Sequence, residues 1–400
     1  MNVLFADLIS EARLHGLRQL GHLVLVEPAL EADDLPRRIH GVDVLVVRST
    51  RVTAVTLEAA DRLCLVVRAG AGTDNIDLAV ASNLGIYVCN VPARNAVAVA
   101  ELTMGLLLAV DRRIADNVVD SRAGRWNKGI YSRSEGILGR TLALIGLGEI
   151  GLAMAERAKA FGLTITALRR DGRSRDTEGR IRNIGIRLVN GYEELLGGAD
   201  IVSLHLPGSA ETYRMVDATF LGQMNDGAIL LNTSRGDLVD ESALLSALDA
   251  KGLRAGLDVW VDEPAGLSGS FSSALARHPR VVGTHHIGAS TNQAQESVAE
   301  GTIEVIEAFL AGRVVNCVNL APEGLGTSCV TIRHLDRVGV LAQVFAVLRA
   351  NGLNVQNMQN QIFAGANAAV ATINLDGQAW PHLIDDLRSI EHVLSVGAVL

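Results

Sequence analysis

A short apolar run, Thr141–Ile145, passes directly into Gly146-Leu147-Gly148-Glu149-Ile150-Gly151, and an alanine-rich stretch with helical periodicity, residues 152–161, follows. Strand, G-x-G-x-x-G turn and helix in that order leave few folds open, because each glycine has its own task. The first permits a tight turn, the second lets main chain approach a pyrophosphate, and the third lets the helix lie close on the strand. The helix start contributes free N–H groups and the positive end of its dipole. Gly146, Gly148 and Gly151, with Glu149 and Ile150 between them, are therefore candidate cofactor contacts.

The same rhythm continues on both sides. Apolar runs at residues 3–6, 23–26, 44–47, 65–69 and 87–89 alternate with helical patterns, which reads as a parallel α/β domain. Residues 96–119 are apolar enough for one long helix buried between domains. Further strand-like runs at 163–168, 201–206, 228–232 and 255–259 extend the sheet that begins at Thr141. Residues 288–309 are helical again and free to return to the first domain, and a Pro and Gly linker follows within 314–328. Beyond it the order changes to strand 329–333, helix 340–350, strand 355–363, a turn at Gly365, strand 368–375, helix 381–389 and strand 394–400. That βαββαβ order is the ferredoxin-like plan. The expected fold class is α/β. It comprises two doubly wound, Rossmann-like domains, a discontinuous substrate-binding domain (1–94 with 288–322) and a nucleotide-binding domain (95–287), followed by a ferredoxin-like module (326–400).

With 48% hydrophobic and 20% charged residues, the chain suits large buried sheets. Its net charge of −8 and the lack of a basic stripe argue against a nucleic-acid partner, so an acidic substrate has to be met by local arginines. The opening residues, Val3-Leu4-Phe5-Ala6 with Asp7, Glu11 and Arg13 behind, read as neither a signal peptide nor a spanning helix, which sets the expectation of a cytoplasmic protein without a membrane partner. Cys64, Cys89, Cys317 and Cys329 are scattered, without C-x-x-C or clustered histidines. They read as buried thiols of a reducing compartment, and no metal is expected.

Five more stretches, taken in order, closely resemble the D-2-hydroxyacid dehydrogenase family. They are Arg68-Ala69-Gly70-Ala71-Gly72-Thr73-Asp74-Asn75-Ile76-Asp77, Asn95-Ala96-Val97-Ala98-Val99-Ala100-Glu101, Asn232-Thr233-Ser234-Arg235-Gly236, Leu257-Asp258-Val259-Trp260 with Glu263-Pro264, and His286-Ile287-Gly288-Ala289-Ser290-Thr291. The first and last, with the C-terminal module, look most like the 3-phosphoglycerate dehydrogenases of that family, and the resemblance covers essentially the whole chain. It implies hydride transfer between C2 of a 2-hydroxy acid and a nicotinamide, at the start of L-serine biosynthesis. Such a reaction needs a base near neutral pKa for the hydroxyl proton, a carboxylate that fixes the base, and an arginine fork for the substrate carboxylate and the C2 oxygen. By resemblance these are His286, Glu263 and Arg235. On residue type alone a histidine at a strand end and a Glu-Pro pair are more often structural, as His285 is read here.

The resemblance further implies Arg48 and Ser49 at a substrate phosphate, with Gly70 and Asn95 as other substrate contacts, and adds Thr233 and Asp258 to the cofactor side, Asp258 near the nicotinamide amide. NAD enzymes carry an acidic residue roughly twenty residues past the last glycine. Here Arg169 and Arg170 stand there, with Arg173 and Arg175 close behind. An arginine can fork onto a 2′-phosphate, so the expected cofactor is NAD(P), tilted toward NADP. The terminal module resembles an ACT domain, with His334, Asp336 and Asn354 matching its ligand positions. Where serine-sensing relatives carry asparagine and proline, this chain has Asp336 and Val338. The implied partners are L-serine as effector and further copies of the chain in a homodimer or homotetramer. Two other readings stand. One is a glyoxylate or hydroxypyruvate reductase, which the same triad serves. The other is a non-catalytic nucleotide-sensing scaffold, against which the intact Arg235, Glu263 and His286 speak.

Overall fold

A computed structural model describes all residues except 10, 265–267, 322–325, 379–380 and 400. Part of the expected linker and the last residue of the expected final strand therefore lie outside the described residues. The chain forms two compact units, Met1–Asn319 and Leu320–Leu400. The first unit holds two parallel sheets. One is built from β1 (Asn2–Phe5), β2 (Leu23–Val26), β3 (Val44–Val47), β4 (Leu65–Arg68) and β5 (Tyr87–Asn90), in the order β2-β1-β3-β4-β5.

Strands this short and this apolar are stable only when both faces are covered, and the period of two sorts their side chains. Val3, Phe5, Val44, Val46, Leu65 and Val67 meet Leu14 and Leu17 of the helix Glu11–Gln19 and Ile303 and Ile306 of the helix Asn292–Leu310. Leu4, Leu45, Val47, Val66 and Val88 point the other way, onto Leu35, Ile39, Leu57 and Ala81. The late helix thus packs on the first sheet. Its return is fastened by Arg94, which pairs with Glu300 and Glu304, and by Arg13, which pairs with Glu296 and Glu300.

The second sheet contains β6 (Thr141–Ile145), β7 (Thr164–Leu168), β8 (Arg187–Val189), β9 (Ile201–Leu204), β10 (Ile229–Asn232), β11 (Arg254–Leu257) and β12 (Val281–Gly283), in the order β12-β11-β10-β9-β6-β7-β8. The order reverses beside β6, so the Gly-rich turn lies at a topological switch point. The outermost strands β8 and β12 were not expected, because three residues at a sheet edge carry too little periodicity to be read. The long helix also differs from expectation. It runs Ala96–Arg112, breaks where Arg113 takes a left-handed backbone (φ 51°), and restarts as Ile114–Arg122. No glycine or proline announces that break.

Ala100, Met104, Leu107 and Val110 of the first segment pack on the sheet with Leu142, Leu144, Ile229 and Leu231. At its foot the almost fully buried Asp111 stands 3.6 Å from Arg140 Nη1 and 3.9 Å from Arg254 Nη1. Arg140 and Arg254 precede and begin strands at the sheet's amino-terminal edge, so this charge cluster lies at the end of the sheet opposite the Gly-rich turn.

The second unit contains β13 (Ser328–Leu335), β14 (Asn354–Ile362), β15 (Ala368–Asp376) and β16 (Val393–Val399), antiparallel in the order β14-β15-β13-β16. Val330, Ile332, Ala371, Ile373 and Leu375 meet Val344 and Leu348 of the helix Val340–Ala350 and Leu383 and Leu387 of the helix Pro381–Arg388. β14 is an outer strand, largely exposed along its length. Among the described residues, no helix is long and apolar enough to cross a membrane.

Replacing Asp111 by Ala takes the buried carboxylate from the partly buried Arg254 and Arg140, of which Arg140 keeps Glu135 and Asp200 nearby, and is expected to cost about 2 kcal/mol, less than breaking a fully buried pair. The thermal unfolding midpoint of the variant reads this directly, and an unchanged midpoint would show that the cluster does not hold the helix.

Candidate active site

The turn after β6 is shaped by close approach. Gly146 has φ +102°, and a Cβ there would lie 2.3 Å from the carbonyl oxygen of His205; one on Gly151 would lie 2.1 Å from the carbonyl oxygen of Gly146. Gly148 differs, because nothing stands within 4 Å of where its Cβ would be. It caps the helix Glu149–Ala160 and has no side chain to occupy the helix's first N–H groups. That is the cradle a pyrophosphate needs, and these residues fit a dinucleotide. The Glu149 side chain turns away to Arg180 Nη1 at 2.8 Å, which leaves only its main chain for an anion. Burial pulls His205 down to about 4, so a neutral imidazole backs the turn.

At the carboxyl end of β7, Arg169 and Arg170 are exposed, and Arg169 Nε donates to Asn190 Oδ1 at 3.3 Å. Arg173 folds back so that Nη2 donates to Leu168 O at 2.8 Å and Nη1 to Arg170 O at 3.3 Å. A basic strand end therefore stands where NAD enzymes place a carboxylate.

The three residues expected to form a triad follow three neighbouring strands. Asn232, Leu257 and Gly283 are in register across β10, β11 and β12, and Arg235, Glu263 and His286 follow them on successive loops. Glu263 Oε1 lies 2.6 Å from His286 Nδ1, and Glu263 Oε2 accepts the Trp260 N–H at 3.4 Å. Burial raises the pKa of Glu263, but the hydrogen bond and charge of His286, the Trp260 N–H and Arg235 outweigh it, leaving the carboxyl below its ordinary value. A carboxylate can only accept, so Nδ1 carries the proton and Nε2 is left free. Both side chains stay reachable, at 44% exposure for His286 and 34% for Glu263.

Asp258 holds this loop in place. Fully buried, it accepts Thr284 Oγ1 at 2.6 Å, Ile287 N–H at 2.9 Å and Gly288 N–H at 2.8 Å, while its own carbonyl accepts His286 N–H at 2.7 Å. The residue expected near the nicotinamide spends its carboxylate on the histidine loop. Thr233 is likewise engaged, 2.8 Å from Thr103 Oγ1, and ties β10 to the helix Ala96–Arg112.

Arg235 reaches from the second sheet to the loop after β4. Its Nε donates to Asp74 Oδ2 at 2.6 Å, and its Nη2 lies against Gly72, where a Cβ would come within 2.1 Å. Beside it is an arginine that sequence reasoning passed over, although it opens one of the quoted motifs. Arg68 folds over the buried Gly70, and its Nε is buried without a hydrogen-bond partner. Burial, then the charges of Arg235 and Arg48, bring its pKa down to about 10 against the opposing pull of Asp74 and Asp7, so it remains charged at neutral pH. Its advance signals were its place at the head of that motif and a lone charge ending an apolar strand.

Around Arg48 and Ser49 the main chain is already occupied. The N–H groups of Arg48, Ser49 and Thr50 donate to Asp7 Oδ2 at 2.6, 3.1 and 3.2 Å, so an anion here has side chains, not this nest, to bind. Asn95 Oδ1 is buried with no partner, at a helix start where it forms no cap bond.

In the second unit the three expected ligand residues are not alike. His334 is 1% exposed, its Nδ1 2.8 Å from Leu335 O and its Nε2 3.3 Å from Asn360 Oδ1. Alternation along β13 turns the ring inward, onto the Val330 and Ile332 face of the strand. Asp336 is partly exposed and Asn354 exposed.

Residues 104–288 match the family model "D-isomer specific 2-hydroxyacid dehydrogenase, NAD binding domain". The D-3-phosphoglycerate dehydrogenase of Methanocaldococcus jannaschii is 37% identical over 332 residues, covering 82% of this chain and 61% of that protein. The hydroxypyruvate reductase of Thermotoga maritima is 41% identical over 280 residues, covering 70% of this chain and 87% of that protein. A solved acyclic imino acid reductase in complex with NADPH and D-Arg aligns with a TM-score of 0.70 at 28% identity, covering 80% of this chain and 100% of that one. The chain spans 61% and 56% of the length of two phosphoglycerate dehydrogenases it matches.

Asp258→Ala removes the acceptor of three donors and is expected to free the loop. Hydrogen exchange at the Ile287 and Gly288 amides should accelerate about tenfold or more, and unchanged protection would show that the loop is held by something else.

Proposed function

The chain belongs to the D-isomer-specific 2-hydroxyacid dehydrogenase family, and on that premise we propose that it interconverts a 2-hydroxy acid and its 2-oxo acid, with 3-phosphoglycerate as the substrate. The observation that carries the reading is the Glu263–His286 pair with Arg235 beside it on register-aligned strands. Glu263 keeps the proton on Nδ1, so Nε2 takes the hydroxyl proton as C2 is oxidised and returns it in the reverse direction. Arg235 receives the substrate carboxylate and the C2 oxygen, exchanging Asp74 for the substrate anion. Arg48, Arg68 and Asn95 supply further donors. A nicotinamide dinucleotide held by the Gly146–Gly151 turn supplies the hydride acceptor.

Hydroxypyruvate or glyoxylate is the second reading. It is favoured by the Asp7 carboxylate, which already fills the main-chain nest beside Arg48, and by the Thermotoga maritima relative. On the cofactor we infer use of NADP(H) at least equal to NAD(H), supported by the exposed Arg169 and Arg170 where a carboxylate would repel a 2′-phosphate. Steady-state rates with 3-phosphoglycerate, hydroxypyruvate and glyoxylate and both cofactors test all of this. His286→Ala should lower turnover with the best substrate by about 10² or more, and Arg169→Asp should abolish most NADP activity while NAD activity holds or rises. Near-normal turnover in the first variant, or a strong NAD preference in the parent, would overturn the respective assignment.

The second unit we read as an ACT domain that binds L-serine through His334, Asp336 and Asn354, with β14 as the edge along which copies pair into a dimer or tetramer. The length and exposure of that unprotected edge support the pairing. Calorimetry of the full chain with millimolar serine should show heat that Asp336→Ala removes. No heat, or sedimentation as a monomer, removes the effector or the assembly.

A further inference from the structure

The four cysteines are scattered in sequence, yet folding brings two of them together. β5 is the outer strand of the first sheet, and residues 316–319 run antiparallel beside it, with Cys89 and Cys317 forming the bridge. The Asn90 N–H donates to Asn316 O at 3.1 Å and the Val318 N–H to Val88 O at 2.8 Å, so the hydrogen bonds flank the two cysteines and do not join them. In such a non-hydrogen-bonded pair the Cα atoms lie about 4.5 Å apart and the side chains are at their closest. That spacing falls within the roughly 4.4–6.8 Å range of disulfides.

Asn319 holds the register. Its Oδ1 accepts the Val88 N–H at 2.8 Å and its Nδ2 donates to Ile86 O at 2.9 Å, while Cys317 Sγ donates to the same Oδ1 at 3.2 Å. Cys89 is buried and Cys317 partly exposed. We infer that Cys89 and Cys317 form a redox modification site, a thiol pair that a peroxide converts into a cross-strand disulfide.

The accessible Cys317 sulfur attacks the peroxide, the O–O bond breaks, and Cys317 becomes a sulfenic acid with release of water. The Cys89 sulfur then attacks the Cys317 sulfur. The S–S bond forms, the S–O bond breaks, and hydroxide leaves with the Cys89 proton as a second water. Two thiols are oxidised by two electrons and the peroxide is reduced to two waters. Burial, then the adjacent Cys317, push the Cys89 thiol up to about 12, so it serves as the resolving partner rather than the initiator. The disulfide would fasten residues 316–319 to β5 whatever the substrate proves to be.

The test treats the native full-length protein with graded hydrogen peroxide, alkylates remaining thiols and maps peptides without reduction. The expected product is a Cys89–Cys317 linked pair, lighter by two hydrogens and reversed by dithiothreitol. It should persist in a Cys64→Ser, Cys329→Ser double variant and vanish in Cys317→Ser. In the oxidised protein the Asn90 and Val318 amides should exchange about tenfold more slowly. The inference is overturned if Cys317 proceeds to sulfinic acid while Cys89 stays reduced, if the link forms only after denaturation, or if those amides exchange at the reduced rate.

Discussion

A buried carboxyl group without partners costs several kcal/mol, and Asp258 meets that demand by taking the Thr284 hydroxyl and the Ile287 and Gly288 N–H groups. The stabilisation of the acid is therefore the same event as the ordering of the loop. Loops at the ends of parallel strands are ordinarily mobile, and His286 must also keep a left-handed backbone (φ 52°) that a non-glycine residue adopts only when its surroundings impose it. Once Asp258 fixes the loop, the Glu263 contact needs little further ordering.

A second constraint is charge. In a chain of net charge −8, Arg48 and Arg235 act on Arg68 against the opposing charges of Asp7 and Asp74, and Arg235 also acts on Glu263. Like charges this close raise the energy of the empty cleft, and an entering anion lowers it. The Arg235–Asp74 pair spans loops of two different sheets, so whatever competes for Arg235 also competes for the link between them.

Much of this was legible in advance because buried parallel strands are continuous apolar runs and the Gly146–Gly151 turn has a fixed grammar. β8 and β12 escaped because three-residue edges have no period, and the break at Arg113 escaped because nothing in its side chain requires it. That Arg235, Glu263 and His286 belong together was suggested only by family resemblance, since the register that aligns their loops is a property of the sheet. Arg68 stood in a quoted motif without a role of its own, because a charge at the end of an apolar strand does not announce that it will be buried beside other arginines. The meeting of Cys89 with Cys317 is a long-range pairing that no local pattern encodes.

The short segment that carries Cys317 has one more effect. Residues 316–319 lie along the free side of β5, and the Asn319 side chain occupies the Val88 N–H and the Ile86 carbonyl much as a neighbouring strand would. An uncovered strand rim is a template for joining other chains. The piece of chain that leaves the first unit is thus also its selvedge, a finished border that keeps an apolar sheet from being extended by strangers.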